Sequence, residues 1–214
     1  MHTATRFILS LTLVVSFILV GCAKPQQPPL PTGNLTLGVA HFTHPTSNAD
    51  MLAGYISDSV ENVDTKIFNY LDNTFAGTLI ANSSHSFVNA EKSKMCSAGI
   101  AEASNSPRAA MRRWSEVGRC MSVDLLLVPQ VYEWRARKGG SAGVVEPARV
   151  VLSFFLIDVR NETLVSRYHF EETQQALSDN LLEVGKFFKR SGRWITAEEL
   201  AQEAMENAIK DLRL

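Results

Sequence analysis

Residues 149–160 read RVVLSFFLIDVR, and this run decides the fold. Its apolar side chains fall on both alternating faces, Val150, Leu152, Phe154 and Leu156 on one and Val151, Phe155 and Ile157 on the other, which marks a strand covered on both sides. On one flank lies Asp124 to Arg137, DLLLVPQVYEWRAR, a second strand. On the other, Leu164 to Glu171, LVSRYHFE, alternates, so Leu164, Tyr168 and Phe170 are expected toward the core and Arg167, His169 and Glu171 toward solvent. Arg160-Asn161-Glu162 suits a tight hairpin turn and Gly139 to Gly143 a flexible one, which predicts an antiparallel meander.

Working outward, Leu35 to Phe42 reads as a first strand and His85 to Val88 as a short one. Helical spacing of Ile67, Phe68, Leu71, Phe75 and Leu79 predicts a helix from about Asp64 to Leu79, and Ala110, Trp114, Val117 and Met121 predict another from about Pro107 to Met121. Glu91 to Ser106 is polar and small and takes no assignment. A further helix is expected near Leu177 to Phe188. The last is opened by a capping box, Thr196 with Glu199, and carries the stripe Leu200, Ala201, Ala204, Met205, Ala208, Ile209 and Leu212. The order predicts an α/β sandwich: a mixed, largely antiparallel sheet of about five strands with helices packed on it.

The amino-terminal stretch has another character. Phe7 to Val20 is an apolar run of 14 residues behind Arg6, too short to span a bilayer comfortably and built as a secretory signal. Leu19-Val20-Gly21-Cys22 ends it and resembles the lipobox of bacterial lipoproteins. That resemblance implies cleavage before Cys22 and acylation of its thiol. Ala23 follows where lipoproteins kept in an enterobacterial inner membrane carry Asp, so the outer membrane is the expected one, with the chain facing the periplasm. Residues 1–21 are then a signal peptide and 22–33 a lipidated cysteine with a Pro-rich tether, AKPQQPPLPTG, reaching roughly 30 Å if extended. Residues 34–214 form one α/β domain in this reading.

Removing residues 1–21 takes away Arg6 and no acidic side chain, leaving 20 of the 21 Lys and Arg against 22 Asp and Glu. Such a balance gives no reason to expect nucleic acid as a partner. Cys96 and Cys120 are an even pair in a chain addressed to an oxidising compartment, for which a disulfide is the simplest reading and two buried thiols the alternative. No His lies near either at metal-ligand spacing. His41 and His44 are three residues apart, but no third ligand is signalled, and both are expected as exposed loop residues. Gly139-Gly140-Ser141-Ala142-Gly143 joins two strands rather than a strand to a helix, and it lacks the Lys-Ser or Lys-Thr ending of a phosphate loop, so neither catalytic residues nor a cofactor site is expected. Tyr132, Trp134, Arg135 and Arg137 near the end of one strand, with Arg193 and Trp194 in a polar turn, mix planar groups and guanidiniums as interfaces do; local packing is the alternative.

Val123-Asp124-Leu125-Leu126-Leu127-Val128-Pro129-Gln130-Val131 resembles the strand after the second helix in domains similar to the amino-terminal domain of TolB, shared with LpoB and the CsgG group. Phe170 to Ser178, FEETQQALS, is similar to a stretch of uncharacterised bacterial lipoproteins. The resemblance covers Leu35 to Leu214 and implies the α/β fold. The preferred reading is a non-enzymatic accessory or docking subunit of a membrane-proximal envelope assembly, with an unidentified envelope protein as partner; self-assembly through an exposed sheet edge is a further reading. The tether is shorter than the long leader of LpoB-type activators, and the hairpin around Gly139 is too short for a barrel of the CsgG kind. An envelope hydrolase acting on cell wall or lipid is the rival reading.

Overall fold

The computed structural model describes residues 35–53, 63–83, 85–100, 108–141, 143–174 and 193–214. In chain order the elements are β1 (Leu37–Val39), a 3-10 turn (Asn48–Asp50), α1 (Lys66–Asn82), β2 (Phe87–Val88), α2 (Ala90–Ala98) and α3 (Ala109–Met121). Then follow β3 (Leu125–Arg135), β4 (Lys138–Gly139), β5 (Val144–Glu146), β6 (Arg149–Asp158), β7 (Thr163–Thr173) and α4 (Ala197–Leu212). The signal segment, Cys22, the tether and the expected helix over 177–188 lie outside the described residues.

Five strands form one mixed α/β sheet in the order β2-β1-β3-β6-β7. β1 runs parallel to β2 and β3, and the much longer β3–β6 and β6–β7 ladders are antiparallel. β6 is an interior strand, buried from Val150 to Ile157, as its two-faced apolarity requires. The turn after it is closed by Asn161, whose N–H donates to Asp158 Oδ1 at 2.9 Å, with Glu162 left-handed at φ 52°. β4 and β5 make a separate small hairpin.

The sheet separates two cores. On the first face α1 contributes Leu71, Phe75 and Leu79 and α4 contributes its alanine-rich stripe, packed on Leu127, Leu152, Phe154 and Leu156. Small side chains bring α4 close to the strands, and Thr196 and Glu199 cap it reciprocally. On the second face Trp114, Val117 and Met121 of α3, with Cys96 of α2, cover Leu126, Val128, Phe155 and Ile157. α3 lies so near β6 that a Cβ on Gly118 would stand 2.4 Å from Val159 Cγ2. Cys96 and Cys120 form a disulfide with Cα atoms 5.8 Å apart, joining α2 to α3.

Three local expectations are corrected. The polar segment from Glu91 is a helix in its first part: α2 is opened by Asn89, whose side chain accepts from Lys92 N–H, and buries Ser93 and Cys96. The first strand is shorter than expected, although the chain keeps beside β3 as far as a bridge between Thr43 and Gln130. Leu164 is exposed rather than core-facing, because the ladder slips between Leu156 and Ile157 and inserts a residue of β7 ahead of Ser166.

Candidate functional site

The helices of the second layer press on one end of their sheet face, and the other end carries polar side chains. Tyr132 stands at a bulge between the pairs Val131–Leu152 and Glu133–Val151, with its hydroxyl beside Gln130 and Ser153. Tyr132 Oη donates to Gln130 Oε1 at 2.9 Å, and Gln130 Nε2 donates to Asp50 O at 2.8 Å. Burial pushes the Tyr132 hydroxyl up to about 12, so it stays a neutral donor.

Across β6 the strip continues. Ser153 Oγ is 2.8 Å from His169 Nδ1, and Arg167 Nη2 lies 3.3 Å from both atoms. The Arg167 guanidinium also covers the Phe155 ring, 5.3 Å from its centroid, closing the second core with a charged group. Desolvation, helped by Arg167, lowers the pKa of His169. Further along, Arg149 donates to Glu133 Oε2 at 2.6 Å and to Glu171 Oε1 at 2.8 Å, and the bond from Arg149 is the main reason the Glu171 carboxyl titrates below its ordinary range. The strip is thus fixed by cross-strand bonds while His169 and Glu171 keep 39% and 54% of their side-chain surface open.

Gln130 links this strip to a cleft of about 680 Å³ at the carboxyl end of β1, lined by His41, His44, Asp50, Phe68, Arg113 and Trp114 among others. His41 and His44 are not exposed loop residues. Both are half-buried, because the chain after β1 stays against β3. His41 Nδ1 lies 2.7 Å from Ser93 Oγ, its ring is tilted against Trp114, and burial lowers its pKa. His44 Nδ1 donates to Val131 O at 2.8 Å. Among the described residues no group of three or more metal-ligating side chains converges.

Two Ser–His pairs therefore exist that spacing in the sequence did not signal, Ser93 with His41 and Ser153 with His169. Both serines are fully buried, at 0% exposure, so neither hydroxyl meets a carbonyl carbon from solvent in this arrangement. The one hint was Ser153 itself, a polar residue inside an otherwise apolar strand.

The six aromatic and arginine residues picked out from sequence are divided by the fold. Tyr132 belongs to the strip, whereas Trp134 lies on the opposite face against the first core. Arg135 pairs with Glu146 at 3.6 Å. Arg137 donates to Trp194 O, Trp194 N–H donates to Ser141 O at 3.0 Å, and Arg193 pairs with Glu199. These contacts fasten the β4–β5 hairpin to the segment before α4.

No family model matches the chain, and no curated protein matches it in sequence. Among solved structures it is similar to the PelC dodecamer from Paraburkholderia phytofirmans at 15% identity, covering 87% of this chain and 93% of that one, with a TM-score of 0.46. It is similar to the LpoB C-terminal domain from Salmonella enterica at 14% identity, covering 68% and 87%, with a TM-score of 0.39. Lipoprotein GNA1162 from Neisseria meningitidis shares 13% identity over 74% and 98% of the two chains, again with a TM-score of 0.39. At such similarity nothing about the activity of this chain is drawn from them.

Proposed function

We propose that the protein is an envelope lipoprotein, held through acyl chains on Cys22 and facing the periplasm from the outer membrane. In this reading it serves as a non-enzymatic accessory or docking subunit of a membrane-proximal assembly. The observation that carries the docking role is the strip over β3, β6 and β7, where Tyr132, Arg149, Arg167 and His169 share one sheet face. Tyrosine and arginine are the side chains that interfaces favour, and here cross-strand bonds hold them in place, which lowers the entropy cost of binding. The burial of both serine hydroxyls supports binding over hydrolysis. No described helix is long and apolar enough to cross a membrane, and two or more acyl chains on Cys22 would suffice as an anchor.

Two measurements test this. Radiolabelled fatty acid is expected to enter the wild-type chain and not Cys22→Ser; equal labelling removes the anchor. A photo-crosslinking residue at Glu133, on the strip, is expected to give a discrete adduct with another envelope protein in intact cells, while one at the exposed Lys210 of α4 gives none. Adducts at neither position, or equally at both, would overturn the docking role.

A further inference from the structure

β7 is the last strand in the sheet order among the described residues, and its backbone faces two ways. Gln174 donates its N–H to Ala148 O at 3.3 Å, one step beyond the pair Arg149–Thr173. In an antiparallel ladder hydrogen-bonded and non-bonded pairs alternate. Glu172, Phe170 and Tyr168 therefore turn their backbone groups toward β6, and Thr173, Glu171, His169 and Arg167 turn theirs away from it, to the side where no strand lies among the described residues. The opposite edge is β2, only two residues long, so β7 is the edge able to add a strand.

Outward residues can pair only with outward residues, which leaves few registers for a second copy related by a two-fold axis. Setting Arg167 opposite itself opposes two guanidiniums, and setting it opposite His169 gives it no opposite charge. Setting Glu171 opposite itself opposes two carboxylates. A register with His169 opposite Glu171 leaves Arg167 facing Thr173. The remaining one puts His169 on the axis, sets Arg167 against Glu171 twice by symmetry, and on the other face lays Tyr168 against Phe170 twice. Opposite charges and aromatic pairs directly across a ladder are its stabilising units.

We propose that β7 is the contact edge of a two-fold symmetric dimer, in which a second copy of this chain adds its own β7 antiparallel and Arg167 faces Glu171 of the partner subunit. The two sheets become one, and the polar strip becomes continuous across the axis. This inference is independent of the envelope location and of any other partner.

The register is tested with the full-length protein in mild detergent under a mild oxidant. Residues opposite each other in a hydrogen-bonded pair have Cα atoms about 5.5 Å apart, within disulfide range. Mixing chains carrying Arg167→Cys with chains carrying Glu171→Cys is expected to give a covalent dimer, and either chain alone is expected to give none. His169→Cys alone is expected to link to itself. Adding Arg167→Glu to His169→Cys should abolish that product, and adding Glu171→Arg as well should restore it. Absence of linked product from both the mixture and His169→Cys would overturn the proposal, as would equal linking by Arg167→Cys alone.

Discussion

Gly118 of α3 and Val159, just beyond β6, approach so closely that there is no room for a methyl group between them: a Cβ at 118 would lie 2.4 Å from one valine methyl and 3.0 Å from the other. Alanine would be the better helix former by about 1 kcal/mol, but overpacking a buried β-branched neighbour costs about 1–3 kcal/mol. Gly118→Ala is therefore expected to lower stability by a net of up to about 2 kcal/mol, read as a shift of the urea midpoint. Adding Val159→Ala should reduce the coupling between the two sites; strictly additive effects would contradict the contact.

The bond between Cys96 and Cys120 closes a loop with a sequence separation of 24 residues. On the chain-entropy view such a crosslink stabilises by about 3 kcal/mol. The Cys96→Ser, Cys120→Ser variant is expected to lose roughly that amount, and reductant should lower the wild-type midpoint without moving the variant. Thiol titration of the denatured, unreduced mature protein should find no free cysteine. Two reactive thiols would refute the bridge.

Burial lowers the pKa of His41, and desolvation together with Arg167 lowers that of His169. A histidine whose folded pKa lies below its unfolded value near 6.5 favours the folded state fully above that value. As the pH falls below about 6.5 the unfolded chain binds more protons, and stability declines until the folded pKa is passed, by at most about 1.4 kcal/mol per pH unit for each group. Urea midpoints between pH 8 and pH 5 should fall, and the slope should be shallower in His41→Gln, which has no ring to protonate. An unchanged slope would mean that His41 does not contribute.

Much of the frame was legible because its signals are local. The apolarity of Val150 to Ile157 on both faces specified a strand covered on both sides, and the α4 stripe with its Thr196 and Glu199 cap specified a close-packed helix with a defined start. The first turns of α2 were illegible for a physical reason. Ala90 to Ala98 carries almost no apolar face, so its place depends on the buried Ser93 beside His41 and on the link from Cys96, both long-range. Bulges defeated alternation twice. Tyr132 and Trp134, two apart, should share a face and do not, and Leu164 left the core. The candidate site was the least legible part, since Gln130, Ser153 and Arg167 acquire their meaning only when three strands lie side by side.

Thr36 and Asp124, 88 residues apart, clasp one another by side-chain and backbone bonds of 2.8–3.0 Å beside the start of the parallel pair β1 and β3. The β6–β7 hairpin, by contrast, closes over a single short turn. Loop closure delays distant pairings more than near ones, so the strand synthesised first is among the last to dock. Until β3 emerges, the nascent chain leaves the β3-facing side of the Leu37–Phe42 segment without its ladder partners, a row of backbone groups open to pairing with other chains.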